Sequence, residues 1–532
     1  NNSFYIKNST IVNNKAVGPA GGLFLSHNAK VKVNNSIFWG NSPHQIWFDD
    51  NTGNDPSELS VTYSDVQGGK SAIPTNEKGT ISWDAGNLDV YPKFVDSTNY
   101  DFRLLASSLL INAGHPDSSD SDATIADIGA TPYLNTYSGP GWWVCDTCND
   151  TTGTGAGPTA FGSIQAAINF AEDGDSVLVG SGTYFENINF RGRNILVKGQ
   201  DGAEKTIIDG NQNGSVVTFK SGENTSATLS GFTITNGKFS AVNKFGAGIS
   251  SIQGSKPTLR NLIVKNNDGG GGDGGGIACW HSDCVIENVI VKDNNATWGG
   301  GISFGDAAPI LSNVLVYSNN GSEGSAFFLD TATPIMKNVT VVNNNGSPAI
   351  FLLDNSKPII LNSILYNNSQ EIYFAQNQGS SQSISIYSTI VKGGESNITI
   401  NGDESGGTAS TNGTVDWGDG NIDVNPVFID SSIGNYHLAD WSPAIGAGAK
   451  TISIDGATYT IHATDIEGNP RPNPADSNPD MGAFENQYGS PQNAPPVLSE
   501  IADVSVNEDE SIIITLEAIN ADSADNDDIT FS

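Results

Sequence analysis

The sequence predicts an all-β solenoid of stacked parallel coils, and three observations carry that reading. One phrase returns five times: PTLRNLIVKNN from Pro257, CVIENVIVKDNN from Cys284, PILSNVLVYSNN from Pro309, PIMKNVTVVNNN from Pro334 and PIILNSILYNN from Pro358. Its asparagines, Asn261, Asn288, Asn313, Asn338 and Asn362, set steps of 27, 25, 25 and 24 residues. Between the phrases stands a second strand-like element, as in GAGISS, GGGIACW, GGGISFGD, GSAFFLD and PAIFLLD. The composition agrees: 61 glycines and only 15% charged residues in 532 suit a turn-rich β protein. A fixed step in the twenties with β-branched runs and turn residues between them marks a solenoid.

Residues 1–138 read as the C-terminal coils and closing module of a first β-helix. NSTIVNN at Asn8 and NSIFWGN at Asn35 repeat the phrase at a step of 27. Three matches with the later chain then declare a tandem duplication. WDAGNLDVYPKFVD from Trp83 parallels WGDGNIDVNPVFID from Trp417, and DFRLLASSLLINAG from Asp101 parallels NYHLADWSPAIGAG from Asn435, both at an offset of 334. DIGA at Asp127 parallels DMGA at Asp480.

Residues 139–411 form the second β-helix. After a Gly/Thr-rich opening, SIQAAINFAEDGD is expected to be a helix over 163–173. Ser163 caps it, and Ile164, Ala167, Ile168 and Ala171 fall on one face. A solenoid exposes an open apolar end, and a short amphipathic helix covers it. Residues 412–490 form a closing module. Residues 491–532 hold a Pro-containing linker and alternating residues that suit antiparallel strands of a truncated, sandwich-like segment. The chain opens and stops inside such elements, so it is expected to be a piece of a longer protein.

Each coil sets its residues above those of the previous one at about 4.8 Å. The column of Asn261, Asn288, Asn313, Asn338 and Asn362 is therefore expected inside, as a hydrogen-bonded amide ladder. If Ile277, Ile302, Ala326 and Ile350 point inward, then Phe327, Leu329, Phe351 and Leu353 point outward, with Trp280 at the equivalent place one coil before Gly305. An exposed apolar strip of that kind marks a binding surface or packing under a loop.

Aligned on the repeat, His281, Asp306, Asp330 and Asp354 fall at equivalent positions of consecutive coils. The leading reading is turn chemistry, since Asp suits the turns in FGDAAP and FLDTATP. A second is Ca²⁺ held by Asp306, Asp330 and Asp354. A third is catalysis, with paired carboxylates as acid and base. The candidate lyase bases, such as Lys256, Arg260, Lys292 and Lys337, are scattered over the repeat rather than convergent. DGGGGDGGG from Asp268 lengthens one coil and lacks both phosphate-loop and EF-hand patterns. Cys145-x-x-Cys148 and Cys279-x4-Cys284 read most simply as two short-loop disulfides. A zinc site would need a second pair near Cys145 and Cys148.

A formal charge of −34 gives no attraction to nucleic acid or an anionic membrane, and no run has the apolar length of a membrane helix. A neutral or basic partner, such as a neutral polysaccharide, is compatible with it.

SIQAAINFAEDGDSVLVGSGTYFENINF, TIIDGN and GFTITNG resemble secreted bacterial right-handed parallel β-helix proteins of the pectin-lyase-like superfamily. The segment from Asp423 to Glu485, with DVNPVF, SPAIGAG, DIEGNPRP and DMGAFE, is similar to the choice-of-anchor Q module that closes such proteins. NAPPVLSEIADVSVNEDES resembles the start of a cadherin-like or Ig-like repeat. The resemblance implies a right-handed coil, an extracellular or cell-surface location, and adhesion or carbohydrate binding. A polysaccharide lyase or glycoside hydrolase working along the groove is the alternative. In the closing module Asp465, Arg471 and Asp480 match the family's ending. The first copy lacks Arg-Pro between Gly114 and Asp127, which implies an ion pair dispensable to the fold.

Overall fold

The computed structural model describes residues 3–49, 56–77, 79–239, 244–375, 380–400 and 413–493, with the short strands 497–498 and 518–519. It is a parallel β-solenoid, with 40% of residues in strands and 4% in helices. The chain divides into two compact units. One is Asn1–Asn243 with Gly248–Ile263, and the other is Lys244–Ala247 with Val264–Ser532.

In the first unit, strands Phe4–Lys7, Lys30–Asn34, Ser57–Thr62 and Gly79–Trp83 pair in parallel, so Ile6, Val33, Val61 and Trp83 stack in one column. Alternation decides the faces: Val31, Val33, Leu59 and Val61 are buried while Lys32 and Glu58 face solvent. A first closing module follows, with the antiparallel pair Phe94–Asp96 and Asp101–Leu104. The helix is Ile164–Phe170, and the Ser163 hydroxyl accepts from the Ala166 N–H as expected. It ends at Ala171, where the backbone turns extended.

All seven helical residues are buried, so the lid is itself covered. Asn169 Nδ2 donates to the Ala106 and Ser108 carbonyls of the first closing module, at 2.9 and 2.8 Å. Charges match the helix ends. Glu186 accepts from the Ile164 and Gln165 N–H groups, and Arg193 donates to the Asn169 carbonyl at the other end.

In the second unit the repeated phrases form strands Val285–Lys292, Ile310–Tyr317 and Ile335–Val342. Each is bent midway by its pivot asparagine: Asn288, Asn313 and Asn338 have φ of 54°, 55° and 54°. That left-handed bend is open to Asn at little cost and closed to β-branched residues.

The bend keeps most of the column buried but breaks up the expected ladder. The left-handed kink turns these side chains to the coil flank, where Asn313, Asn338 and Asn362, all buried, bind the closing module. A rung of the expected ladder survives, Asn313 Nδ2 donating to Asn288 Oδ1 at 3.0 Å. Asn313 Nδ2 donates to the Thr464 carbonyl, Asn338 Nδ2 to that of Asp480 and Asn362 Nδ2 to that of Ala449. Asn261 is solvent-exposed. The interior ladder is the asparagine six residues after each pivot. Asn267, Asn294, Asn319 and Asn344 each donate Nδ2 to the Oδ1 of the next, ending on Asn368, at 2.9 to 3.1 Å. The Oδ1 atoms of Asn294, Asn319, Asn344 and Asn368 also accept the previous coil's backbone N–H, so the ladder amides are satisfied.

The second closing module repeats the hairpin, as Phe428–Asp430 with Asn435–Leu438, and adds another, Thr451–Ile454 with Ala457–Thr460. Arg471 is buried here with Glu485, its Nε 2.9 Å from Glu485 Oε2, off the N–H axis, and both side chains at 0% exposure. Asp480 and Asp465 lie close enough to act on it. The pair is thus not a dispensable ornament of this copy. The first copy manages without it because it also lacks the paired acid: Pro132 stands where Glu485 does. Most of the expected cadherin-like segment lies outside the described residues. There the structure describes only the antiparallel pair Val497–Leu498 and Ala518–Ile519.

Candidate functional site

The site candidates sit on one parallel sheet of the second unit, in strands Ile277–Trp280, Ile302–Gly305, Phe327–Asp330, Ile350–Leu353 and Ile372–Phe374. Its register aligns Ile277, Ile302, Phe327, Ile350 and Ile372, all buried. Phe327 and Leu329 therefore point into the core at 0% exposure, a correction to the expected outward strip. The reason is the step. Coil 302 to 327 keeps the 25-residue spacing, whereas matching Asp306 to Asp330 assumes 24.

The same register separates the polar column. Asp330 aligns with Trp280, Gly305 and Leu353. His281, Asp306, Thr331 and Asp354 form the turn column, each left-handed with φ of 50°, 45°, 52° and 49°. Three of those four positions suit a left-handed turn. His281 Nδ1 lies 3.7 Å from Asp306 Oδ2, with both side chains more than half exposed. Among the described residues no three His, Cys, Asp or Glu side chains are placed to hold one metal ion.

Outward positions carry aromatic rings that stack up the coils. Phe328 and Phe351 are 5.8 Å apart between centroids at 22°, and Phe351 and Tyr373 are 5.3 Å apart at 26°. Phe328 is buried, while Phe351, Tyr373 and Leu353 are partly exposed. Two coils earlier Trp280 lies flat over Gly305, where an added Cβ would fall 2.4 Å from the indole. Its Nε1 donates to Ser303 Oγ at 3.1 Å, and Phe245 packs on it at 5.2 Å.

Beside the rings stand coupled acids. Burial pushes the Asp273 carboxyl up to about 7, and Asp330 and Glu323 add repulsion. Asp330 is raised by its own burial and by Asp354 and Asp306. Asp273 and Glu323 are absent from the sequence-based candidates, because Asp273 lies in a glycine run that reads as a permissive loop. The backbone bridge between Asp273 and Trp298 fixes it beside the sheet.

Both cysteine pairs are disulfides, with Cα–Cα of 5.4 Å for Cys145–Cys148 and 6.5 Å for Cys279–Cys284. Among the described residues no helix is long and apolar enough to cross a membrane.

No family model matches the chain, and no curated protein does. Among solved structures, the crystal structure of pectate lyase Pel9A is similar at 17% identity, over 65% of this chain and 96% of that one, with a TM-score of 0.39. The likeness concerns the architecture.

Proposed function

We propose that the chain is an extracellular surface scaffold that binds polysaccharide along the outward face of this sheet. The carrying observation is the stack of Phe328, Phe351 and Tyr373 on consecutive coils, with Leu353 beside it. Phe351, Tyr373 and Leu353 keep partly exposed apolar surface at coil spacing, next to buried Phe328, and such a strip suits the CH faces of successive sugar residues. The charge of −34 and the Asp330 and Asp273 carboxyls favour neutral glycans over polyuronates. The two disulfides support an oxidising location.

The test is affinity electrophoresis of the chain in gels containing neutral or uronate polysaccharides. Retention by a neutral glycan, weakened at least tenfold by Phe351→Ala or Tyr373→Ala, supports the proposal. No retention on any of them sinks it. One observation favours a second reading, a polysaccharide hydrolase or lyase: Asp273 and Asp330 are neighbouring carboxyls with raised proton affinity, as acid–base pairs are. New reducing ends or unsaturated products that vanish in Asp330→Asn would establish that reading.

A further inference from the structure

The second unit holds a cavity of about 320 Å³ where the closing module meets the coil flank. It is lined by Asn343, Tyr366, Asn367, Asn425, Phe428 and Ser431. We propose that it is a binding site for a single neutral pyranose ring, separate from the aromatic strip.

Three features support this. The size is at the lower end of ligand pockets, which span about 300–1,000 Å³, so it suits one ring and not a chain. Tyr366 and Phe428 supply aromatic surface for the CH face of a sugar, while the three amides and Ser431 supply paired donors and acceptors for hydroxyls. The amides are also held in place. Asn367 Nδ2 donates to Asn343 Oδ1 at 2.6 Å, and Asn343 Nδ2 donates to the hydroxyl of buried Tyr436 at 2.9 Å. Asn425 Oδ1 accepts from the Val427 N–H, so its orientation is fixed while its Nδ2 has no partner among the described residues. Lys392 stands at the rim, 5.5 Å over Tyr366 and 3.4 Å from Asn367 Oδ1.

The first copy shows that the fold does not require this arrangement. Tyr91 occupies the place of Asn425 and stands edge-on to Trp39, which occupies the place of Tyr366, at 6.1 Å. Gly40 occupies the place of Asn367. The second copy has thus exchanged a ring for an amide and added a second amide at the same spot. A purely structural contact gives no reason for that exchange.

The test uses the whole chain, with saturation-transfer NMR against methyl glycosides of glucose, galactose, mannose and N-acetylglucosamine, and against glucuronate. The expected result is saturation transfer to at least one neutral glycoside. Because the strip is itself read as binding neutral glycan, the pocket variants are compared in a Phe351→Ala background, where the signal should persist and still fall at least tenfold on adding Asn425→Tyr or Asn367→Gly. Both pocket variants install residues the first copy already accommodates, and equal thermal midpoints check the fold. Transfer to none of the neutral glycosides, transfer to glucuronate alone, or a signal that survives both pocket variants in that background overturns the proposal. So does a signal lost in Phe351→Ala alone, which would belong to the strip.

Discussion

Asn35 and Asn362 hold the same place on the coils that receive the two closing modules, and their surroundings separate what the fold needs from what each copy adds. Asn35 Oδ1 accepts from the His115 N–H and its carbonyl from Gly129. Asn362 Oδ1 accepts from the Ala449 N–H and its carbonyl from Gly482. Thr10 and Thr340 accept from Ala130 and Ala483 in the same way. Asp127 gathers the Asn112 and Tyr133 N–H groups, and Asp480 gathers those of Gly446 and Asn486. This shared docking uses left-handed Asn, one Thr and one buried Asp. The differences lie elsewhere: Asp65 against Ile390, Tyr91 against Asn425, and the added hairpin with Arg471.

The largest expected effect breaks the comparison at Arg471. Arg471→Met leaves Glu485, Asp480 and Asp465 without their cation in a buried site, which costs about 3–5 kcal/mol. Urea unfolding should show it, and a loss below 1 kcal/mol would contradict the argument.

Asp65 gives the next effect, on the first copy alone. It occupies a fully buried position, with Oδ2 unpartnered, and burial pushes it up to about 8. A folded value above the unfolded one means that folding holds the proton. Its stability contribution is therefore present below about pH 4 and lost as pH rises toward 8, by a few kcal/mol at most. Asp127 and Glu186 in the same unit, both pushed to about 7 by burial, share the lower part of that slope. Asp65→Asn should remove the part that continues above pH 7 in denaturation measured across pH 5 to 9. An unchanged slope would refute the buried, protonated carboxyl.

Asn362→Ala should cost about 2–3 kcal/mol and Asn35→Ala about 1–2, because Asn362 Nδ2 also donates to the Ala449 carbonyl, whereas Asn35 Nδ2 has no partner. Hydrogen exchange at Ala449 and His115 reads the two separately, and equal losses would erase the distinction. The smallest effect is Thr340→Val, about 1 kcal/mol from one orphaned N–H at Ala483.

Much of this was legible in the residues. The repeat step implied the coils, Ser163 the helix start, and the 334-residue offset the second module. What escaped was finer than spacing. The phrase carries two asparagine columns, and only the backbone bend decides which faces inward. A strand's side-chain period is 2, so a one-residue error at Asp330 was enough to reverse Phe327 and Leu329. Arg471 looked optional because it lies in a stretch longer than its counterpart in the first copy, where Pro132 also replaces its partner Glu485. Asp273 was hidden among glycines, where sequence shows freedom and the fold imposes a position.

The central claim is that the outward sheet face binds neutral glycan without converting it. The most direct measurement incubates the chain with one retained neutral polysaccharide and follows bound fraction and new reducing ends together. Saturable binding that falls in Phe351→Ala, with no product above the protein-free control, is the predicted result. Product formation abolished by Asp330→Asn would contradict it.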